Sequence, residues 1–419
     1  MIKFRMMFTC LLLVILMVSG CSSGSSLNDK VKTLTLWYWN RSIDDNLINS
    51  VQKQFPGIRL NAQKIGGDFK SKLKTTLAAG TGGPDIIAFN DWVTEMFPND
   101  DRFYNLYDLG AKEIEQDYLD WKWKLGVTPE GKMIALPMDT GPTALFYRAD
   151  LFEQAGLPSD PEEVHKQMGT WDDYFAAGKK LQDALGGKVK FTDNIGNIYT
   201  QVNAQSEKIY FDPNENFIGE DPSSSMKKAW DLAVKASQMG LLANAGTFSS
   251  EWNAAANNGK IASFVGAVWC KEILMQAAPE TAGKWRVARA PGGDGNNGGS
   301  FLAIMSTSKY PQEAFDVIKW LQNPENQITG FKEMNLFPSA KKALDSDVMK
   351  QKEDFFGGQV TGEIFSESAR NVKPSFFGTK FANVNGIVSR ELSSVAIQGK
   401  DPNQALQDAL SRIKKELLR

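Results

Sequence analysis

A chain of 419 residues, 42% hydrophobic and 23% charged, is long enough for two globular domains with ordinary cores. Its formal net charge of −2 gives no electrostatic pull toward nucleic acid or anionic lipid, and a single histidine, His165, leaves no basis for a histidine-built metal site or catalytic triad. Eleven tryptophans are many for this length; their rings fill cores, yet they also offer flat faces to ligands.

The N-terminus sets the compartment. Lys3 and Arg5 precede an apolar run over 8–18 that is too short for a stable bilayer span. Val18-Ser19-Gly20-Cys21 follows and resembles a bacterial lipobox, which implies cleavage before Cys21 and a diacylglycerol on its thiol. Two or more acyl chains anchor stably where one is marginal. Residues 1–20 are therefore read as a lipoprotein signal peptide and 21–32, Ser/Gly-rich, as a flexible tether. Cys10 leaves with the signal and Cys21 is acylated, so Cys270 has no partner for a disulfide. Ser22 stands where a retention signal in a double-membraned cell would carry Asp, so the outer face of a single-membrane bacterium is the expected location.

Folded structure begins near Thr33. Residues 33–39 (TLTLWYW) predict a strand, 43–55 a helix ended by Pro56-Gly57, 58–64 a strand, 69–79 a helix capped by Gly80, and 86–89 a short strand apolar on both faces. This alternation argues for an α/β layer architecture. The stretch 136–158, LPMDTGPTALFYRADLFEQAGLP, breaks at Pro137 and Gly141-Pro142, runs as an apolar strand, and closes on a helix stopped by Gly156 and Pro158. Beyond it, helices are predicted over 170–185, 223–239, 252–258, 311–322 and from 401 to the C-terminus, with strands over 261–265, 285–290 and 301–306.

Catalytic motifs fail their own context. Gly293-x-Gly295-x-x-Gly298 matches a dinucleotide fingerprint but is followed by the extended FLAIMS rather than the helix that would hold a pyrophosphate. Asp212-x-Asn214-x-Asn216 opens like a calcium loop, but Phe217 stands where Gly is required and Ser223 where a bidentate Glu belongs. No nucleotide-binding Walker loop or HExxH is present, so no catalytic residue, metal or cofactor is expected.

Binding signals are more informative. In open α/β sheets, ligands sit beyond the carboxyl ends of the strands. That rule nominates Trp39, Asn40 and Arg41 after the first strand and Asn90, Asp91 and Trp92 after the third. Asp139 and Thr140 at the crossover and Trp269 after the strand at 261–265 complete the set. Trp37, inside its strand, reads as core, and Asp85, at the strand's start, as a local hydrogen-bond anchor; Asp139 has a rival reading as a hinge residue that fixes backbone amides. Aromatic rings interleaved with Asp and Asn suit a sugar, whose CH faces lie on rings and whose hydroxyls pair with carboxylates and amides.

Three segments in one order, KLKTTLAAGTGGPDIIAFND, LPMDTGPTALFYRADLFEQAGLP and GKIASFVGAVW, are similar to the extracellular solute-binding proteins of sugar ABC transporters, the group that includes maltose-binding protein. The resemblance implies an α/β, two-lobe fold of the periplasmic-binding-protein type (class II), with three interlobe crossings near 137–142, 291–300 and 334–339. The lobes would be 33–138 with 300–335, and 139–299 with 336–419. It also implies a stacking role for Trp269 and another aromatic contact near the C-terminus, for which Phe376, Phe377 and Phe381 compete and Phe377 is taken. The family carries a Trp at that last position, so this chain departs from it there. The implied partners are a carbohydrate, the permease subunits of an importer and the membrane through a lipid anchor, with the protein a monomer. A lipid-anchored glycoside hydrolase is the enzyme alternative, needing two carboxylates roughly 5–10 Å apart, with Asp91 and Asp139 as candidates. A surface adhesin is the third reading.

Overall fold

The computed structural model describes residues 31–418; the signal peptide, Cys21 and most of the expected tether lie outside the described residues. Its strands are β1 (Lys32–Tyr38), β2 (Ile58–Lys64), β3 (Ile86–Phe89), β4 (Leu136–Pro137), β5 (Asp139–Thr140), β6 (Thr143–Arg148), β7 (Ser263–Ala267), β8 (Trp285–Ala288), β9 (Phe301–Ile304) and β10 (Phe337–Pro338). They form a five-stranded sheet in the order β2-β1-β3-β9-β4, a three-stranded sheet β7-β6-β8, and a two-stranded ribbon β10-β5. In the first sheet β1 runs parallel to β2 and β3, while β9 runs antiparallel to β3 and β4.

Period-two patterning explains why each sheet is covered on both faces. Leu34, Leu36, Ile86 and Ala88 enter one core, whereas Trp37, Ile87 and Phe89 point to the other side and enter a second. β6 divides the same way, Leu145 and Tyr147 facing one cluster and Ala144 and Phe146 the opposite one. Trp37 is core, 8% exposed, with its indole N–H on Gln63 Oε1. Asp85 anchors strand starts: its carboxylate accepts from Thr35 N, Thr35 Oγ1 and Ser308 Oγ.

Element ends follow their caps. The helix Phe69–Ala79 starts at Asp68, which accepts from Ser71 N, and stops at Gly80 in the left-handed region. The helix Asp45–Gln54 starts two residues later than expected because Asp44 caps it by accepting from Asn46 N. β7 starts at Ser263, not 261: Lys260 O accepts from Lys190 N and Ala262 N donates to Lys190 O, while only Ala262 O reaches β6, accepting from Arg148 N. The long stretch between β3 and β4 holds 3₁₀ segments and one five-residue helix, Asp120–Lys124, none of which periodicity predicts. No helix among the described residues is long and apolar enough to cross a membrane.

Three passages of chain join the two larger sheets side by side. β5 pairs with β10 through Phe337 and Thr140, and Asn297 N donates to Gly141 O while Gly141 N donates to Asn296 Oδ1, both at 2.8 Å. Ala340 and Ala343 still pack in the first sheet's core, whereas Leu344 and Val348 belong to the second's. Gly141 is the tightest point: a Cβ there would lie 2.2 Å from Asn297 O. Gly141→Ala must push two passages apart, and a loss of about 1–3 kcal/mol is expected. Urea unfolding of the variant checks it; an unchanged midpoint would mean that the passages yield freely.

Candidate functional site

A cavity of about 390 Å³ lies between the two layered units. From the first sheet's side come Asp91 and Trp92, directly after β3, together with Lys70, Glu95 and Lys122; from the second come Asn203, Phe377, Phe381 and Asn385. Each has an identifiable support. Asn90 accepts from Asp91 N and so caps the turn that presents Asp91. Glu95, 2% exposed, is held by Lys70 at 2.6 Å and Lys74 at 3.2 Å from the helix Phe69–Ala79. The helix Ile195–Ala204 carries Asn203, whose Oδ1 accepts from Ser225 Oγ, and it is rooted in a buried polar knot around Asp193. The helix Phe381–Gln398 carries Asn385, oriented by Tyr210, whose hydroxyl donates to Oδ1 at 2.9 Å.

The helix Asp120–Lys124 faces three ways. Successive residues on a helix are turned by roughly 100°. Trp121 joins the second unit's core and donates to Ala369 O, Trp123 joins the first and donates to Tyr107 Oη, and Lys122 between them points into the cavity. Lys122 is fully buried, and its Nζ has no acceptor within the protein. It sits 3.6 Å from the centroid of the Phe301 ring, where the ring's face stabilises a cation. Burial pushes its pKa down to about 7, opposed by the Asp139 and Asp91 carboxylates. Burial likewise pushes the Asp91 carboxyl up, with the Lys122 and Lys70 ammoniums opposing. Gly299 makes the space: at φ +89° it has no Cβ, which would lie 2.9 Å from Lys122 Nζ.

The sequence-nominated residues divide into three groups. Asp91, Trp92 and Phe377 line the main cavity. Arg41, Asp139, Thr140 and Trp269 line a second one of about 210 Å³ beside β5 and β10. Trp39, Asn40 and Asn90 line neither. Trp39 lies edge-on to Phe69, 5.3 Å between centroids, and Asn40 is exposed. Asp139 accepts from Ser300 N and Thr140 Oγ1 donates to Phe337 O and Pro338 O, so both tie the passages together. Trp269 is 37% exposed; its indole N–H donates to Asn297 O, and Phe248 packs edge-on at 5.7 Å. Of the competing phenylalanines, Phe376 turns to Phe97, while Phe377 and Phe381 line the main cavity with centroids 4.2 Å apart.

Asp91 and Asp139, the pair a hydrolase would use, line different cavities. Asp212 is used up locally, accepting from Asn214 N, Asn216 N and Asn216 Nδ2, as a polar turn should. The Gly293–Gly298 loop leads into β9, a strand. Lys122, Asn203 and Asn385 were not among the nominated residues. Only Lys122 left a trace, a charge set between two tryptophans in DWKWK.

Besides the Phe97–Phe376 ring contact, hydrogen bonds and an ion pair bridge the units. Thr94 Oγ1 donates to Phe377 O at 2.7 Å and accepts from Phe377 N at 3.0 Å. Arg41, in the left-handed region at φ 67°, forms a two-armed ion pair with Glu272, one arm measuring 2.6 Å.

The model of the bacterial extracellular solute-binding protein family matches residues 46–357. The arabinooligosaccharide-binding protein of Bacillus subtilis is 23% identical, with 97% of this chain and 98% of that protein aligned. The lactose-binding protein of Rhizobium radiobacter is 25% identical over 80% of this chain and 81% of its own. Among solved structures, one described as an extracellular solute-binding protein of family 1 superposes with a TM-score of 0.87 at 30% identity, covering 92% of this chain and 99% of that one.

Proposed function

Because the chain belongs to the bacterial extracellular solute-binding protein family, we propose that it is the binding component of an ABC importer that captures an oligosaccharide and delivers it to a membrane permease. The observation that carries this reading is the composition of the main cavity: Trp92, Phe377 and Phe381 supply rings, and Asp91, Asn203 and Asn385 supply polar groups around them. Rings take the CH faces of a pyranose or furanose, and the carboxylate and amides pair with its hydroxyls. Relatives whose names specify arabinooligosaccharides and lactose support a sugar over an amino acid or an ion.

The step is closure without chemistry. A saccharide touching Asp91 on one side and Phe377 on the other binds the closed arrangement better than the open one, and so shifts the population toward it. The lobes are taken as 33–138 with 300–335 and 139–299 with 336–419, swinging about the passages where Asp139, Thr140 and Gly141 lie. Trp269 and Arg41, at the second cavity, are assigned to the rim that a longer saccharide chain reaches. The protein acts as a monomer held at the outer face of the membrane by lipid on Cys21. Fatty-acid labelling that persists in Cys21→Ser would refute that anchor.

A thermal-shift screen with arabinotriose, lactose and other oligosaccharides tests the function. A bound sugar at 100 times its dissociation constant is expected to add about 2.7 kcal/mol of stability. Product formation from any of them would revive the hydrolase, and no shift with any saccharide would overturn the reading.

A further inference from the structure

We propose that Lys122 is a direct saccharide contact and that, with Asp91, it makes the site select an uncharged sugar over an acidic one. This rests on the saccharide reading above and goes beyond it to the class of sugar.

The argument starts from an imbalance. An ammonium removed from water without an acceptor is strongly disfavoured. Lys122 is fully buried, all its N–H groups lack a protein acceptor, and it lines the cavity wall. The surroundings hold it there: Phe301 beneath it, Gly299 leaving room for it, and the flanking tryptophans fixed in opposite cores. Two carboxylates, Asp139 and Asp91, act on it electrostatically, yet neither hydrogen-bonds it. Asp139 spends its carboxylate on Ser300 N. Asp91 faces the same cavity as Lys122.

A ligand group placed between Lys122 and Asp91 must accept from one and tolerate the other. A hydroxyl does both, accepting from the ammonium through its lone pairs while donating its proton to the carboxylate. A ligand carboxylate satisfies Lys122 but meets Asp91 as a like charge in a desolvated site, which is repulsive. Glu95 adds a second negative group to the wall, already matched by Lys70 and Lys74; the remaining lysine of the lining, Lys373, is exposed and screened by water, so the desolvated part of the site holds no surplus of positive charge for an acid. The donor–acceptor couple therefore fits a neutral polyol.

The experiment titrates the whole protein with arabinotriose, lactose and trigalacturonate, and repeats the titrations with Lys122→Met and Asp91→Asn. Wild type is expected to bind a neutral sugar at least tenfold more tightly than trigalacturonate. Lys122→Met should lose roughly ten- to a hundredfold in affinity for that neutral sugar. Its melting temperature without sugar should stay equal or rise, because an unpaired buried charge is replaced by an apolar chain of similar length. Asp91→Asn should narrow the gap between neutral and acidic sugars by removing the repulsion. Undiminished neutral-sugar binding by Lys122→Met overturns the proposal and leaves the saccharide function standing. So does a sugar-free melting temperature well below wild type, which would make Lys122 a structural group. Should Lys122→Met not fold, Asp91→Asn decides, and an unchanged gap overturns the selectivity. Preference of the wild type for trigalacturonate overturns it as well, and binding of no saccharide removes both readings together.

Discussion

Asp193→Ala is expected to destabilise the protein by about 3–5 kcal/mol at neutral pH. Asp193 is fully buried and accepts from Asn194 N at 2.7 Å, Asn197 Nδ2 at 3.0 Å and Thr247 Oγ1 at 3.0 Å. Truncation strands these donors at about 1–3 kcal/mol each, less the cost of burying the charge itself. Burial raises the carboxyl to about 6, above its unfolded value, even though the three donors oppose the shift. Folding therefore binds a proton between those two values. The part of its contribution that comes from proton uptake is full below the unfolded pKa and is lost as pH rises through about 6, leaving the hydrogen bonds to its three donors at neutral pH. Chemical unfolding of wild type and variant across pH 4–8 checks both parts, since the variant should be weaker and should also lack that slope. Because this knot roots the helix that bears Asn203, the variant should bind sugar less well even at temperatures where it remains folded.

Asp91→Ala is expected to weaken saccharide binding by roughly ten- to a hundredfold, the value of a charge-assisted hydrogen bond of about 1.5–3 kcal/mol. Here the loss should be confined to binding. The Asp91 side chain carries no ion pair at hydrogen-bond distance, and its burial disfavours the charge, so stability without sugar should be unchanged or slightly raised. Calorimetric titration paired with melting of the sugar-free variant separates the two. Equal affinities would remove Asp91 from the site, and an early melt would reassign it to the turn capped by Asn90.

What the sequence disclosed, and what it concealed, follows from how local each cause is. β2, β3 and the helix Phe69–Ala79 were legible to the residue because alternation, a full apolar run and a Gly stop are written within the segments themselves. The rule that ligands lie past strand ends placed Asp91 and Trp92 at the main cavity, since the end of β3 opens directly onto it. The same rule named Trp39 and Asn40, yet β1 ends where the Phe69 helix packs over it, and only the tertiary arrangement determines that. The helix Phe381–Gln398, with Asn385 facing the cavity, was missed because Lys380 makes no side-chain cap and Gly386 interrupts its pattern. Lys122 was harder still. Its neighbours read as an ordinary alternation, and its burial arises only because two separate cores claim the tryptophans on either side.

The polar bridges between the units bear on time rather than on affinity. Thr94 with Phe377, and Arg41 with Glu272, join protein to protein, so both must break whenever a sugar enters or leaves. The exposed ion pair, with Arg41 51% accessible, contributes about 0–1 kcal/mol, and each buried bond of Thr94 about 1 kcal/mol. Where the closed arrangement dominates, such contacts slow association and release by the same factor and leave their ratio unchanged. The interval for which a bound sugar stays in the cleft therefore depends on these contacts. Weakening either bridge should shorten that interval while the equilibrium constant holds.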